Sequence, residues 1–316
     1  MMRVEERART RHALEIATAE TAVNALFTTV ALGPLMTGFL LAWNATDFQL
    51  GLFASIPYWI AFAELMAAYA VDRFAPYRKQ IVMVLGLIAR STFFFMAGLA
   101  WYAHYSATWF LPIFFVLYTI FQLFYHASGP GWMAWMAILV PAPIRGRYLG
   151  IRNRIVDATG LLAMILAGCA LDAFRHADWE RQGFAWLHGM AGVTGLVCYF
   201  LLNDQHDPGH KSRLPNFSWD YLLNALKDLR FRCLACINML WLCGTTVFVP
   251  FAEAHVLKNL HWSFKGVSLL IMASTCASVL ASPFWGRLAD RISAQRVMGL
   301  CMAGSLCVPP LLLLCP

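Results

Sequence analysis

The sequence predicts an all-α protein that crosses a membrane many times, and three observations carry that expectation. Of its 316 residues 60% are hydrophobic and 13% charged, about half the roughly 25% charge of an ordinary soluble domain. Several apolar runs reach the length of about 18–20 residues that a helix needs to span a bilayer. The basic residues are also sorted: 19 of the 24 Lys and Arg fall before the first run or in alternate loops, four in the opposite loops (Arg175, Arg181, Lys258, Lys265), and Arg90 inside a run. By the positive-inside rule the N-terminus and the rich loops face the cytoplasm. The net charge of +7 is therefore topology, and a nucleic-acid partner is not implied.

Taken in order, residues 1–19 form a charged, helical lead-in on the cytoplasmic side, and the Arg-rich start shows no cleavage site that would make it a signal peptide. Span one covers about 20–43, with a tight outer turn at Asn44–Gln49. Span two covers 50–71, span three 80–102, and Tyr102–Trp109 is an outer turn with interfacial aromatics. Span four starts near Phe110 and is long, with Gly129-Pro130-Gly131 inside it, where the missing proline N–H and flanking glycines predict a bend. Span five covers 155–172 and span six 184–202. Residues 203–232 form the longest soluble stretch, whose part Trp219–Leu229 has the spacing of an interfacial helix. Spans seven, eight and nine cover 233–252, 266–284 and 297–315.

Two turns between spans repeat each other. Trp285–Arg296 reads WGRLADRISAQR and Tyr69–Lys79 reads YAVDRFAPYRK, with Asp72 and Asp290 218 residues apart. Upstream, LGLFASIPYW at Leu50–Trp59 and KGVSLLIMAS at Lys265–Ser274 hold matching places. Such a repeat in so apolar a chain points to two related halves. The G-x-L-A-D-R string followed by basic residues resembles the loop signature of the major facilitator superfamily, found after the second span and more weakly after the eighth. The later copy (Gly286, Leu288, Ala289, Asp290, Arg291, Arg296) is the closer match; the earlier has Tyr69 in place of Gly and one extra residue before Arg78-Lys79.

The resemblance implies twelve spans in two pseudo-symmetric halves of six, and about nine are present: the N-terminal half over 20–202, the cytoplasmic linker over 203–232, and the first three spans of the C-terminal half over 233–316. The sequence therefore reads as a C-terminally truncated transporter. In the family the signature loops clamp the cytoplasmic side of the two halves. The gate candidates carried over are Asp72, Arg73, Arg78, Lys79, Gly286, Asp290, Arg291 and Arg296, with Asp290 expected near Arg145–Arg154. A carboxylate beside a helix N-terminus and a bridging arginine are the physical basis of such a clamp.

Polar residues inside spans are costly and therefore informative. Thr21, Asn24 and Thr28 share a face of span one; Tyr118, Gln122 and Tyr125 share one of span four, with His126 at its edge; Asn238, Trp241 and Thr245 share one of span seven. Interhelical hydrogen bonding would explain each singly. In the facilitator fold, however, spans one, four and seven line the central cavity, so the resemblance makes these faces the candidate solute-contacting surface, suited to a small organic solute. Glu64, Arg90, Asp157 and Glu253 are intramembrane charges; they must meet partners or water, with Glu64–Arg90 as an expected pair and proton coupling through the carboxylates as an expected role.

Other chemistry has no support. All nine cysteines lie at or after Cys169, and Cys233-x-x-Cys236 lacks a second pair, so neither a disulfide framework nor a zinc site is implied. His206 and His210 flank Pro208-Gly209, a loop rather than a metal face. No catalytic residues, metal or cofactor are expected. Drug/proton antiporters of the family that the chain resembles typically carry an Arg motif in span four and a Gly-Pro motif in span five; here span four has no Arg and span five no Gly-Pro, which weakens that reading. The expected function is a secondary transporter in the cytoplasmic membrane, moving a small organic solute with proton coupling. The rival is a non-transporting remnant with a binding or scaffold role.

Overall fold

The computed structural model describes residues 2–103, 108–141, 145–207, 224, 227–258, 260, 262–292 and 294–305. All regular structure among them is helical. The first element, α1 (Met2–Ala31), is followed by α2 (Pro34–Ala42), α3 (Asp47–Ile60), α4 (Phe62–Arg73), α5 (Arg78–Tyr102), α6 (Phe110–Leu139), α7 (Arg145–His176) and α8 (Glu180–Asp204). Beyond the loop come α9 (Leu229–Lys258), α10 (Phe264–Ile292) and α11 (Ala294–Ser305). Among the described residues six spans are long and apolar enough to cross a membrane, from Arg9–Ala42 through Glu180–Asp204. Part of span nine, and most of the helix expected at Trp219–Leu229, lie outside the described residues.

Spans one and two each consist of two helices, and the residues at the breaks say why. At Gly33 the backbone turns to φ 103, a conformation only glycine adopts freely. Pro34, which follows, has no N–H to continue the ladder. The lead-in does not stop at residue 19: α1 is continuous from Met2, because its Ala, Glu and Arg residues are good helix formers. Pro57 lies inside α3, which ends at Ile60 just before α4 begins. Thr46 opens α3 with a capping box, accepting from the Gln49 N–H at 3.3 Å while its own N–H donates to Gln49 Oε1 at 2.8 Å. In span four α6 runs as one helix through Pro130. Gly131 there serves close approach, since a Cβ would lie 2.5 Å from Val82 Cγ2 and 3.2 Å from Val71 Cγ2.

Lipid does not drive helices together as water would, so close packing carries the association. Gly192 and Gly195 on α8 let Phe94 and Arg90 of α5 nest against the backbone. Inside the first eight helices lies an aromatic core containing Phe27, Phe39, Trp43, Phe93, Phe110 and Phe121; Trp43 stacks on Phe110 with centroids 4.5 Å apart and planes 8° off parallel. A smaller cluster around Trp135, Met83 and Leu202 closes the end that carries Arg78 and Lys79, called here the basic end. Large apolar side chains such as Trp59, Phe62, Leu65 and Phe95 point outward, as a lipid-facing surface requires. Helix α9 lies against α2 and α3, and α10 against α7.

Candidate functional site

The structure divides the expected pairings. Glu64 and Arg90 do not meet. Glu64 on α4 contacts His126 Nδ1 on α6 at 2.5 Å, because α4 packs on α6 and touches α5 only lightly. Two residues expected in different roles, a charge and a cavity group, are thus one carboxylate–imidazole pair. Arg90 instead donates from Nη2 to Asn24 Oδ1 at 2.9 Å and lies 5.5 Å from the Phe27 ring centroid. Gly86 and Gly195 make room for it, each lying 2.6 Å, measured from an added Cβ, from an Arg90 atom. Arg90 is buried, where the Asn24 hydrogen bond, the Phe27 face and the nearby Glu20 carboxylate offset the cost of its charge.

On α6, Gln122 donates to the Tyr118 hydroxyl at 2.5 Å, and both are fully enclosed, with Tyr118 packed on Phe53 at 4.6 Å. On α1, Thr28 turns its hydroxyl to the Ala25 carbonyl at 3.2 Å, and Thr21 to Ala17 at 2.8 Å. The α9 face is the exposed one: Asn238 donates to Leu234 O at 2.9 Å, Thr245 to Trp241 O at 3.0 Å, and Trp241 is exposed.

The first signature loop ties helices of the first half together. Buried Arg78, 1% exposed, donates from Nη2 to Asp207 Oδ1 at 2.6 Å. Lys79 donates to the carbonyls of Asn203 and Gln205 at 2.6 and 2.9 Å, closing the C-terminus of α8. Arg73 and Arg296 are exposed. The side chains of Asp72, Glu253, Asp290 and Arg291, with Gly286, lie outside the described residues, as do those of Arg145 and Arg147.

The contacts across to α9 and α10 gather at the opposite end. Asp172 on α7 accepts the backbone N–H groups of Phe264 and Lys265 at 3.0 and 2.9 Å, capping α10. Ser268 donates to Met164 O at 3.0 Å and presses on Gly168, while Phe264 fills the space over Gly38. Lys258 reaches Asp47 at 3.6 Å. Above this seal a cleft of about 600 Å³ is lined by Asn44, Thr46, Arg175, Glu180, Leu257 and Lys258 among others. Below it a second cleft of about 240 Å³ lies between α1, α7 and α10 and contains Asp157.

Sequence reasoning missed Glu20, Asp172, Asp207 and His188. Glu20 is only 4% exposed and stands in the field of Arg90 and Arg152; its place at the edge of the apolar run disguised it as a boundary residue. His188 gives its Nδ1–H to Phe184 O at 2.7 Å and lies between Phe39 and Phe93; as a single histidine in an apolar run it formed no polar face with its neighbours. Among the described residues no group of three or more His, Cys, Asp or Glu is placed to hold a metal.

This arrangement defines an all-α, multi-pass membrane protein. Residues 234–315 match the Major Facilitator Superfamily. The chain is also 27% identical over 198 residues to the staphyloferrin B transporter of Staphylococcus aureus, across 59% of this chain and 45% of that protein, so it spans about half the length of this relative.

Proposed function

We propose that the chain forms the pathway of a secondary active transporter that moves a small organic solute by alternating access. The observation that carries this reading is the seal at one end: Asp172 of α7 capping α10, Ser268 against Gly168, and Lys258 paired with Asp47 join the two sets of helices there. In a rocking mechanism one end closes while the other opens around a midplane site. The sealed end is then the outer one, with the N-terminus and the basic end in the cytoplasm, consistent with the distribution of Lys and Arg. Asn24, Thr28, His126, Asn238, Trp241 and Thr245 supply polar groups toward the solute, and Tyr118 and Gln122, enclosed in this state, join them when the helices rock. The Glu64–His126 pair handles the coupling proton, since a carboxylate and an imidazole 2.5 Å apart can share one and release it when the helices move.

Staphyloferrin B, from the relative's name, is the first solute to try. Vesicles containing the protein should accumulate or expel it along a proton gradient. Asp290→Asn and Gln122→Ala should each cut the rate while the protein still inserts. If both variants transport as wild type, and differ only in stability, the scaffold reading replaces this one.

A further inference from the structure

We propose, on the transporter reading above, that Arg152 is the recognition group for a carboxylate on the solute, which makes that solute a small organic anion. Three ionisable side chains gather inside the first set of helices. Glu20 on α1 lies within electrostatic reach of both Arg90 on α5 and Arg152 on α7. All three stand in spans long enough to cross the membrane, where an ionisable residue is costly and marks a functional site. One carboxylate against two guanidinium groups leaves one positive charge uncompensated.

The spare charge belongs to Arg152. Arg90 is buried, hydrogen-bonded to Asn24 and laid against Phe27, and it acts on Glu20 more strongly than Arg152 does. Arg152 forms no salt bridge among the described residues. Its Cζ lies 4.5 Å from the Trp132 ring centroid on α6, a face that holds a guanidinium in place. Its Nε is enclosed without a hydrogen bond. One turn back on α7, the Tyr148 hydroxyl is in the field of Arg152 and turned toward Thr18 of α1, with no hydrogen bond of ordinary length. A planar guanidinium with N–H groups to spare, beside a phenol, is what holds a carboxylate.

The place suits a solute. Trp132 on one side and Glu20 on the other set Arg152 between α6 and α1, the helices that carry Gln122 and Asn24. The side chain is half-buried, so it keeps an open edge. Roughly 18 Å of helix separates it from Met164, where Ser268 of α10 closes on α7. Arg152 therefore lies toward the basic end, away from the seal.

The test is the thermal unfolding midpoint of the purified full chain in detergent, titrated with succinate and with citrate. Succinamide is the uncharged equivalent, and sodium chloride matches the ionic strength. The carboxylates should raise the midpoint saturably and succinamide should not. Arg152→Gln should weaken the apparent affinity roughly ten- to a hundredfold, the usual loss for a hydrogen bond to a charged group. Arg152→Lys should recover only part, because an ammonium lacks the two-pronged geometry. Tyr148→Phe, with a loss of roughly two- to tenfold, keeps the test open should Arg152→Gln not fold. Arg11→Gln, at an exposed arginine, should leave binding unchanged. No rise with either carboxylate, or equal binding in wild type and both α7 variants, would overturn the subsite. So would an Arg152-dependent rise with phosphatidylglycerol alone, which would assign the arginine to a lipid phosphate. Binding is read here without transport, so a failure leaves the vesicle experiment to judge the transporter reading by itself.

Discussion

Asp172, at the end of α7, holds Phe264 at the start of α10: its carboxylate accepts the Phe264 N–H at 3.0 Å and the adjoining Lys265 N–H at 2.9 Å. A helix N-terminus leaves such N–H groups unpaired and carries partial positive charge. The bond therefore joins the two sets of helices and caps one of them at once.

Replacing Asp172 by Asn removes the charge but keeps the shape. We expect a loss of about 1.5–3 kcal/mol, the range for hydrogen bonds to a charged group, read as a lower unfolding midpoint. Gly168→Ala reports the same seal. An added Cβ there lies only 2.4 Å from Ser268 Oγ and 3.0 Å from the Phe264 carbonyl oxygen, so this variant should also lower the midpoint, by the roughly 1–3 kcal/mol that overpacking costs.

Gly131 sets the distance between α6 and its neighbours α4 and α5. Gly131→Ala would place a methyl 2.5 Å from Val82 Cγ2, and overpacking of this kind costs about 1–3 kcal/mol. Gly98→Ala, where nothing lies within 4 Å, should be neutral or slightly stabilising. Thermal unfolding of the two variants side by side checks the packing argument.

Arg78 and Asp207 form a buried pair, with side chains 2% and 16% exposed. Removing one partner strands the other, which costs about 3–5 kcal/mol in buried pairs. Asp207→Ala should therefore destabilise the basic end strongly, and the double variant Arg78→Met/Asp207→Ala should recover much of the loss. A double-mutant cycle on unfolding midpoints decides it.

Glu64 and His126 are more exposed, at 46% and 25%, and their contribution to folding should be small, about 1 kcal/mol or less. Their effect belongs to transport. Glu64→Gln should leave the unfolding midpoint nearly unchanged but flatten the pH dependence of solute movement, whereas a purely structural pair would change the midpoint and leave the pH profile alone.

The fold was legible because its signals are local. Apolar run lengths placed most helix ends to within a few residues, but α1 begins already at Met2, α7 at Arg145, and α10 runs on to Ile292, because charged residues that hydropathy excludes still continue a helix. The Gly129-Pro130-Gly131 stretch lies inside one helix, where neighbouring helices supply the packing, and Gly131 makes room for Val71 and Val82. Asn24, Arg90, Glu64 and His126 were all singled out by polarity alone, yet the pairing among them was not legible.

By itself the sequence determined that this chain is helical, crosses a membrane repeatedly, and carries two copies of a facilitator-type loop, because hydropathy, charge asymmetry and short motifs are properties of neighbouring residues. Only the tertiary structure decided that Arg90 turns to Asn24 and Glu64 to His126, and that Asp172 holds the start of α10. Those choices depend on the rotation and height of each helix against the others, which close packing of side chains and glycines sets and no run of adjacent residues encodes.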